Sequence, residues 1–236
     1  MVAFKPDVTE EEEGIAAVQA AVKTFGRLDV TINNAGYGDT RPFEQVPSKF
    51  RRLIETCLFD VVNLTRAALP IMRARRSGHI IQISSMGVRM GFAGNAAYIA
   101  SKWGVAGFTE ALAQETAPFG VKVTALEPGG MRTNWIQRAY GDRPILMQEY
   151  EETIGKHIEQ IAALVGHEQG DPERMAEVVL KIAETDQLPP HILLGTAAFE
   201  AVRQTEHRMA QADLWHAVSA YTDFDADGPM PLLPTE

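Results

Sequence analysis

The stretch 84–102, SSMGVRMGFAGNAAYIASK, holds three residues whose types could together move a proton. Tyr98 follows Ser85 by thirteen positions, and Lys102 follows Tyr98 by four. On one helix, i and i+4 stand on the same face, one turn apart. A cation beside a phenol favours the phenolate, which lets a tyrosine act as acid and base near neutral pH. Bringing a phenol from its ordinary pKa near 10 to about 7 takes about 4 kcal/mol. One unit charge about 4 Å away supplies that much at an effective dielectric near 20. On spacing alone, Tyr-x-x-x-Lys more often means an exposed pair on an ordinary helix, so the surrounding elements decide.

Those elements alternate. Thr9 with Glu12 reads as a capping box opening a helix through Ile15, Val18, Val22 and Phe25, stopped by Gly26. Leu28, Val30 and Ile32 form a buried strand ending at Asn33-Asn34-Ala35-Gly36. A loop from Tyr37 to Pro47 leads to a long helix from about Ser48 to Arg75, with Pro70 in its last turns or at a kink. HIIQISS is a second buried strand, delivering Ser84 and Ser85. The helix with Tyr98 and Lys102 runs to about Pro118, and VKVTALEPGG is a third strand ending in Pro128-Gly129-Gly130. Asp171-Pro172 caps a further helix, HILLG is a last short strand, and a final amphipathic helix carries Phe199, Val202, Met209, Leu214, Trp215 and Val218. Met1 to Lys5 reads as a short strand or its end.

Strand–helix alternation with continuously apolar strands predicts an α/β fold, a mostly parallel sheet between two helical layers. In such sheets ligands bind beyond the C-terminal strand ends. Asn33–Gly36, Ser84–Ser85 and Pro128–Gly130 all fall there, which is the bottom-up reason to expect an active site.

Composition narrows the alternatives. The 236 residues are 45% hydrophobic and 22% charged, fitting one globular domain over 1–236. A net charge of −9 and no basic run beyond Arg73-Ala74-Arg75-Arg76 argue against nucleic-acid binding. One cysteine excludes an internal disulfide framework and a cysteine zinc site, and is compatible with the cytoplasm. No apolar run approaches the ~20 residues of a membrane span. The six histidines show no metal spacing and read as surface or strand-end residues. Ser85 lacks a G-x-S-x-G elbow, which argues against a hydrolase nucleophile. Trp103 reads as packing.

With Asp7-Val8-Thr9, Asn33-Asn34-Ala35-Gly36, Ser85, Tyr98-x-x-x-Lys102 and Pro128-Gly129 with Thr133, the sequence resembles the short-chain dehydrogenase/reductase family over essentially its whole length. The resemblance implies a Rossmann-type three-layer fold and hydride transfer between NAD or NADP and an alcohol or carbonyl. It implies Tyr98 as the acid/base, Lys102 as the cation that lowers the phenol pKa and holds the nicotinamide ribose, and Ser85 as the donor to the substrate oxygen. It places Asn34, Ala35 and Gly36 beside the adenosine ribose, and Asp7 and Val8 at the adenine. Pro128, Gly129 and Thr133 would flank the nicotinamide. It also implies a homodimer or homotetramer built by pairing the long helices.

Two features depart from the family pattern. The glycine-rich turn T-G-x-x-x-G-x-G, which cradles the pyrophosphate, has no counterpart before Gly14. By resemblance, the first two strands and two helices are missing, and with them the residue that selects NAD from NADP. Strand Leu28–Ile32 is then expected to have an open edge. A start assigned too late is the preferred account, since every downstream motif is present. A true fragment, or an altered and non-catalytic remnant that binds or scaffolds, is the alternative. Second, the family's relay asparagine in the long helix, which bends the helix and holds a water, aligns with Cys57. A thiol lacks a carboxamide's donors and acceptors, and Asn63 lies at another helical angle, so slower turnover is expected.

The segment 136–170 is irregular and reads as a substrate lid or a surface insert. Its Leu146, Met147, Tyr150 and Ile154 fit a lipophilic alcohol or ketone. The segment 223–236, rich in Pro, Gly and Asp, is expected to be a flexible tail.

Overall fold

A computed structural model describes residues 3, 7, 9–140, 144–203, 214–222 and 229–233. The first-strand reading of 1–5, Val8, Met209 and most of the expected tail lie outside these residues. Four parallel strands form one sheet in the order β1 (Val30–Asn33), β2 (Gly78–Ile83), β3 (Val121–Pro128), β4 (His191–Leu194). Its register sets Ile32 against Ile81 and Gln82 against Ala125.

Helices cover both faces. On one, α1 (Glu11–Phe25) packs on α3 (Asp60–Arg75), beside α4 (Ala96–Thr116). Val18, Ala68, Met72, Leu112, Ile80, Val121 and Val123 make the core between them and the sheet. On the other, α7 (Pro172–Ala183) brings Ile182, Met175 and Val179 onto Ile81, Leu126 and Ile192. Side chains alternate across each strand, so neighbouring apolar residues feed opposite cores.

The long helix is one unit, α2 (Pro47–Ile54) running into α3 through a five-residue π turn, Glu55–Phe59. Pro70 lies inside α3, five residues before its end. The expected Asp171 cap is present: its Oδ1 accepts from Glu173 N at 2.9 Å and Arg174 N at 3.3 Å. Gly26 and Gly120 close α1 and the turn after α4 with φ of 74° and 70°, the left-handed region that a side chain rarely adopts.

Two local expectations are corrected. Thr9 does not cap α1. Its N–H and hydroxyl both donate to Asp7 Oδ1, at 3.1 and 2.7 Å, while Glu13 rather than Glu12 reaches back to the Asp7 N–H. The Asp7 carboxylate outcompetes the helix for the hydroxyl. Strand β1 is also less buried than its apolar pattern predicts, with Ile32 48% exposed. Among the described residues β1 pairs only with β2, so it is an edge strand, and on the face that Val30 and Ile32 share only Val30 joins the core that α7 covers.

A buried polar network ties β1 to β2 under α3. Asn33 Nδ2 donates to Gln82 Oε1 at 2.7 Å and to Thr65 Oγ1 at 3.3 Å, and Gln82 Nε2 donates to Thr65 Oγ1 at 3.2 Å. Asn33 therefore holds the sheet, while Asn34 beyond it is exposed.

His79, read from sequence as a surface or strand-end residue, does start β2 but is buried. Its Nε2 lies 3.2 Å from Thr124 Oγ1. Burial pushes its pKa down to about 4, keeping the ring neutral.

Candidate active site

Strand β2 ends beside the helix that the sequence singled out. Ser85 follows Ser84 in an extended conformation, and a 3-10 turn, Met86–Val88, carries the chain away. The Ser85 hydroxyl oxygen accepts from Gly87 N at 3.0 Å. Gly87 is closely approached: a Cβ there would meet Ile99 Cδ1 at 2.8 Å, so Ile99 would have to shift. Trp103 Nε1 donates to Gly87 O at 2.8 Å. What the sequence offered as packing is thus a strut from α4 to the turn that holds Ser85.

Helix α4 presents Tyr98 and Lys102 on one face. Lys102 is 4% exposed, and its Nζ donates to Ile83 O at 2.7 Å. The Nζ stands 5.7 Å from the centre of the Tyr98 ring. Burial pushes the Tyr98 phenol above its ordinary range, the Ser85 hydroxyl pulls it back by hydrogen bonding, and Cys57 and Tyr140 push it up. The sequence reading had the lysine lowering this phenol; in the folded chain burial raises it, and the group that lowers it is Ser85. Lys102 is itself pulled down by burial and held up by Cys57 and Asp60.

The flanking loops converge. Gly36, beyond β1, approaches so closely that a Cβ there would lie 3.5 Å from Cys57 Sγ and 3.8 Å from Lys102 Nζ. Cys57 is fully buried in the π turn, its Sγ 3.5 Å from Tyr37 O. The helix distortion that the resemblance associates with an asparagine therefore exists here with a cysteine at its centre. Asn95, just before α4, accepts from Thr40 Oγ1 at 3.1 Å and locks the loop beyond β1 to α4.

Helix α5 (Asn134–Tyr140) lies over this group. Trp135 packs on Tyr98 with ring centres 5.2 Å apart. Ile154 sits against Gly94, and Phe92 stacks on His157 with centres 5.9 Å apart. The segment 136–170 therefore packs against the loops that carry the site. Trp135 was not singled out by sequence; its only signal was an aromatic two residues after Thr133.

Thr133 is exposed, and its Oγ1 accepts from Trp135 N at 3.2 Å, opening α5. Gly129 N donates to Leu194 O at 3.0 Å, so Pro128 and Gly129 are pinned where β3 meets β4. Beside them lies a cleft of about 340 Å³ lined by Met131, Gly170, Met175 and Thr196. Asp7 is engaged in its turn with Thr9, whose hydrogen bonds hold its carboxyl below the usual range. Among the described residues, no helix is long and apolar enough to cross a membrane, and no cluster of three metal-binding side chains occurs.

Comparisons with known proteins bear on the family and the fold. A family model described as short chain dehydrogenase matches residues 1–143. An oxidoreductase of Botryotinia fuckeliana is 40% identical over 215 residues, covering 90% of this chain and 78% of that one. A trans-4-hydroxycyclohexanecarboxylate dehydrogenase of Sinomonas cyclohexanicum is 40% identical over 143 residues, 59% of this chain and 55% of that one. A 3-ketodihydrosphingosine reductase of Bacteroides thetaiotaomicron is 36% identical over 174 residues, 67% of this chain and 65% of that one. Among solved structures, a short-chain dehydrogenase from Streptomyces avermitilis superposes with a TM-score of 0.83 at 33% identity, covering 94% of this chain and 82% of that one. The chain belongs to the short-chain dehydrogenase family, a family of oxidoreductases, and has its Rossmann-like α/β fold.

Proposed function

We propose that this chain interconverts a secondary alcohol and the corresponding ketone with NAD or NADP, using Ser85, Tyr98 and Lys102. The observation that carries the reading is the convergence of these three side chains at the C-terminal end of β2. A hydroxyl, a phenol and a buried ammonium meet there beneath an apolar cover.

The residues fit a nicotinamide ribose. Lys102 spends one of its three donors on Ile83 and has two more to offer. Gly36, lacking a Cβ, leaves open the space in front of that ammonium. When bound, the cofactor supplies or accepts the hydride. The chain's own part is proton transfer and orientation. The Ser85 hydroxyl donates to the substrate oxygen, and Tyr98 gives its phenolic proton to that oxygen in reduction and takes it back in oxidation. Burial raises the phenol, which keeps Tyr98 protonated and ready to donate. The nearby ammonium stabilises the phenolate that remains.

Asn34, Ala35 and Gly36, beyond the end of β1, would stand beside the adenosine ribose. Asp7 would approach the adenine. Pro128, Gly129 and Thr133 would flank the nicotinamide. The substrate is a small molecule of lipophilic character, a reading supported by the apolar Trp135 that packs on Tyr98. The names of two relatives point the same way, one to a cyclic secondary alcohol and one to a long-chain ketone. The protein works in the cytoplasm as a homo-oligomer paired through its long helices, where Phe59 and Trp103 stand 44% and 45% exposed.

Titration with NADH and with NADPH, followed by fluorescence and paired with reduction of cyclic and long-chain ketones, tests the reading. Saturable binding below about millimolar with turnover is expected. Absence of both, with a folded protein, overturns it and favours the non-catalytic alternative.

A further inference from the structure

Asp60 is fully buried, and neither of its carboxylate oxygens has a hydrogen-bond partner among the described residues. Buried carboxylates without partners are costly and rare in folded proteins, so this one calls for a physical reason. It stands at the first position of α3, immediately after the π turn that carries Cys57. The titratable groups facing it are Lys102 from α4 and Cys57 from its own helix, with Tyr37 from the loop after β1 beyond Cys57. Lys102 is buried, and its Nζ donates to a neutral carbonyl. A buried cation needs a counter-charge, and Asp60 is the carboxylate that acts on it.

We propose that Asp60 is a positioning residue for Lys102: its carboxylate is the counter-charge that keeps the lysine an ammonium beside Tyr98, at the turn where Cys57 brings no carboxamide. This rests on the proposed alcohol–ketone activity, and it concerns the free chain as well. Burial lifts the Asp60 carboxyl to about 6, with Lys102 pulling it down. Cys57 and, after it, Asp60 in turn hold the lysine up against its own burial. Above about pH 6 the carboxylate is formed and the ammonium is secured. Without it, the lysine sheds its proton at lower pH.

The experiment follows the Lys102 side-chain nitrogen by NMR in ¹⁵N-lysine-labelled protein, with no cofactor or substrate. In the wild-type chain, the Lys102 signal should report a step near pH 6 as Asp60 titrates. In Asp60→Asn, the Lys102 midpoint should fall by about one to three pH units, the effect of removing one opposite charge. Asp60→Glu should restore most of it. In ketone reduction, Asp60→Asn should move the basic limb of the kcat profile down by the same amount with KM little changed, giving at least about tenfold slower turnover on that limb. A Lys102 signal flat through pH 6 in the wild type, or a midpoint unmoved in Asp60→Asn, overturns the proposal. The wild-type titration decides the case if Asp60→Asn does not fold. A shifted Lys102 midpoint in a chain that turns over no ketone upholds the Asp60–Lys102 coupling and defeats the activity instead.

Discussion

Lys102 donates a 2.7 Å hydrogen bond to the carbonyl of Ile83, the last residue of β2, and so ties the helix that carries Tyr98 to the strand that delivers Ser85. The charge is thereby fixed relative to the sheet rather than left on a flexible stem. Its Nζ is 5.7 Å from the Tyr98 ring centre, near enough to act on the ring and on whatever is bound before Gly36. Strand ends, helix face and cation are one rigid unit, and orientation of this kind is where much of a catalytic effect resides.

The Trp103–Gly87 hydrogen bond extends that unit to the far side of Ser85. Trp103→Phe keeps a smaller aromatic ring and removes the N–H, so the turn 86–88 loosens. We predict about tenfold lower kcat and a stability loss of about 1 kcal/mol. Steady-state kinetics and urea unfolding check this, and unchanged kcat would show that the strut is irrelevant to Ser85.

Gly36 fronts the ammonium. In Gly36→Ala the added Cβ makes ordinary contacts at 3.5 and 3.8 Å, so folding is preserved while the space before Lys102 shrinks. We predict NADH or NADPH binding about tenfold weaker in Gly36→Ala and no saturable binding in Gly36→Val, with Tm little changed. Equal affinities across the three chains would place the ribose elsewhere.

Buried His79 sets an acid limit on stability. Its folded pKa, pushed down to about 4, lies below the unfolded value near 6.5. The unfolded chain therefore binds the proton first as pH falls, and stability present above about 6.5 is lost towards 4. The loss amounts to about 2 kcal/mol by pH 5 and about 3 kcal/mol by pH 4. Asp60 acts oppositely in part of this window, because a raised carboxyl stabilises the fold while protonated. The His79 contribution is isolated by comparing urea unfolding of the wild type and His79→Asn at pH 7, 5 and 4. The wild type should lose stability on acidification relative to the variant; a constant difference would mean His79 is not held neutral.

The alternation of elements, the parallel sheet and the three strand-end motifs were legible because hydrophobic period and glycine placement are local signals. The open edge of β1 was expected, but the exposed face of Ile32 was not, since an apolar strand looks alike whether or not a helix covers it. Thr9 misled because Asp7, two residues back, competes for its hydroxyl. Ser85, Tyr98 and Lys102 were legible as residue types that the fold brings together, but their environment was not. Burial of Tyr98 under Trp135, the Trp103 strut and the orphaned Asp60 all depend on contacts between segments distant in sequence. Cys57 reads as a simple substitution in sequence, and only the structure shows it at the middle of a π turn.

Tyr98→Phe in the ketone-reduction assay is the most direct measurement of the central claim. It removes one oxygen from a ring packed between Trp135 and α4. The account predicts a kcat lower by about 10²- to 10⁴-fold with cofactor affinity held within about twofold, because proton donation is lost and binding is not. Turnover equal to the wild type in that variant would contradict it.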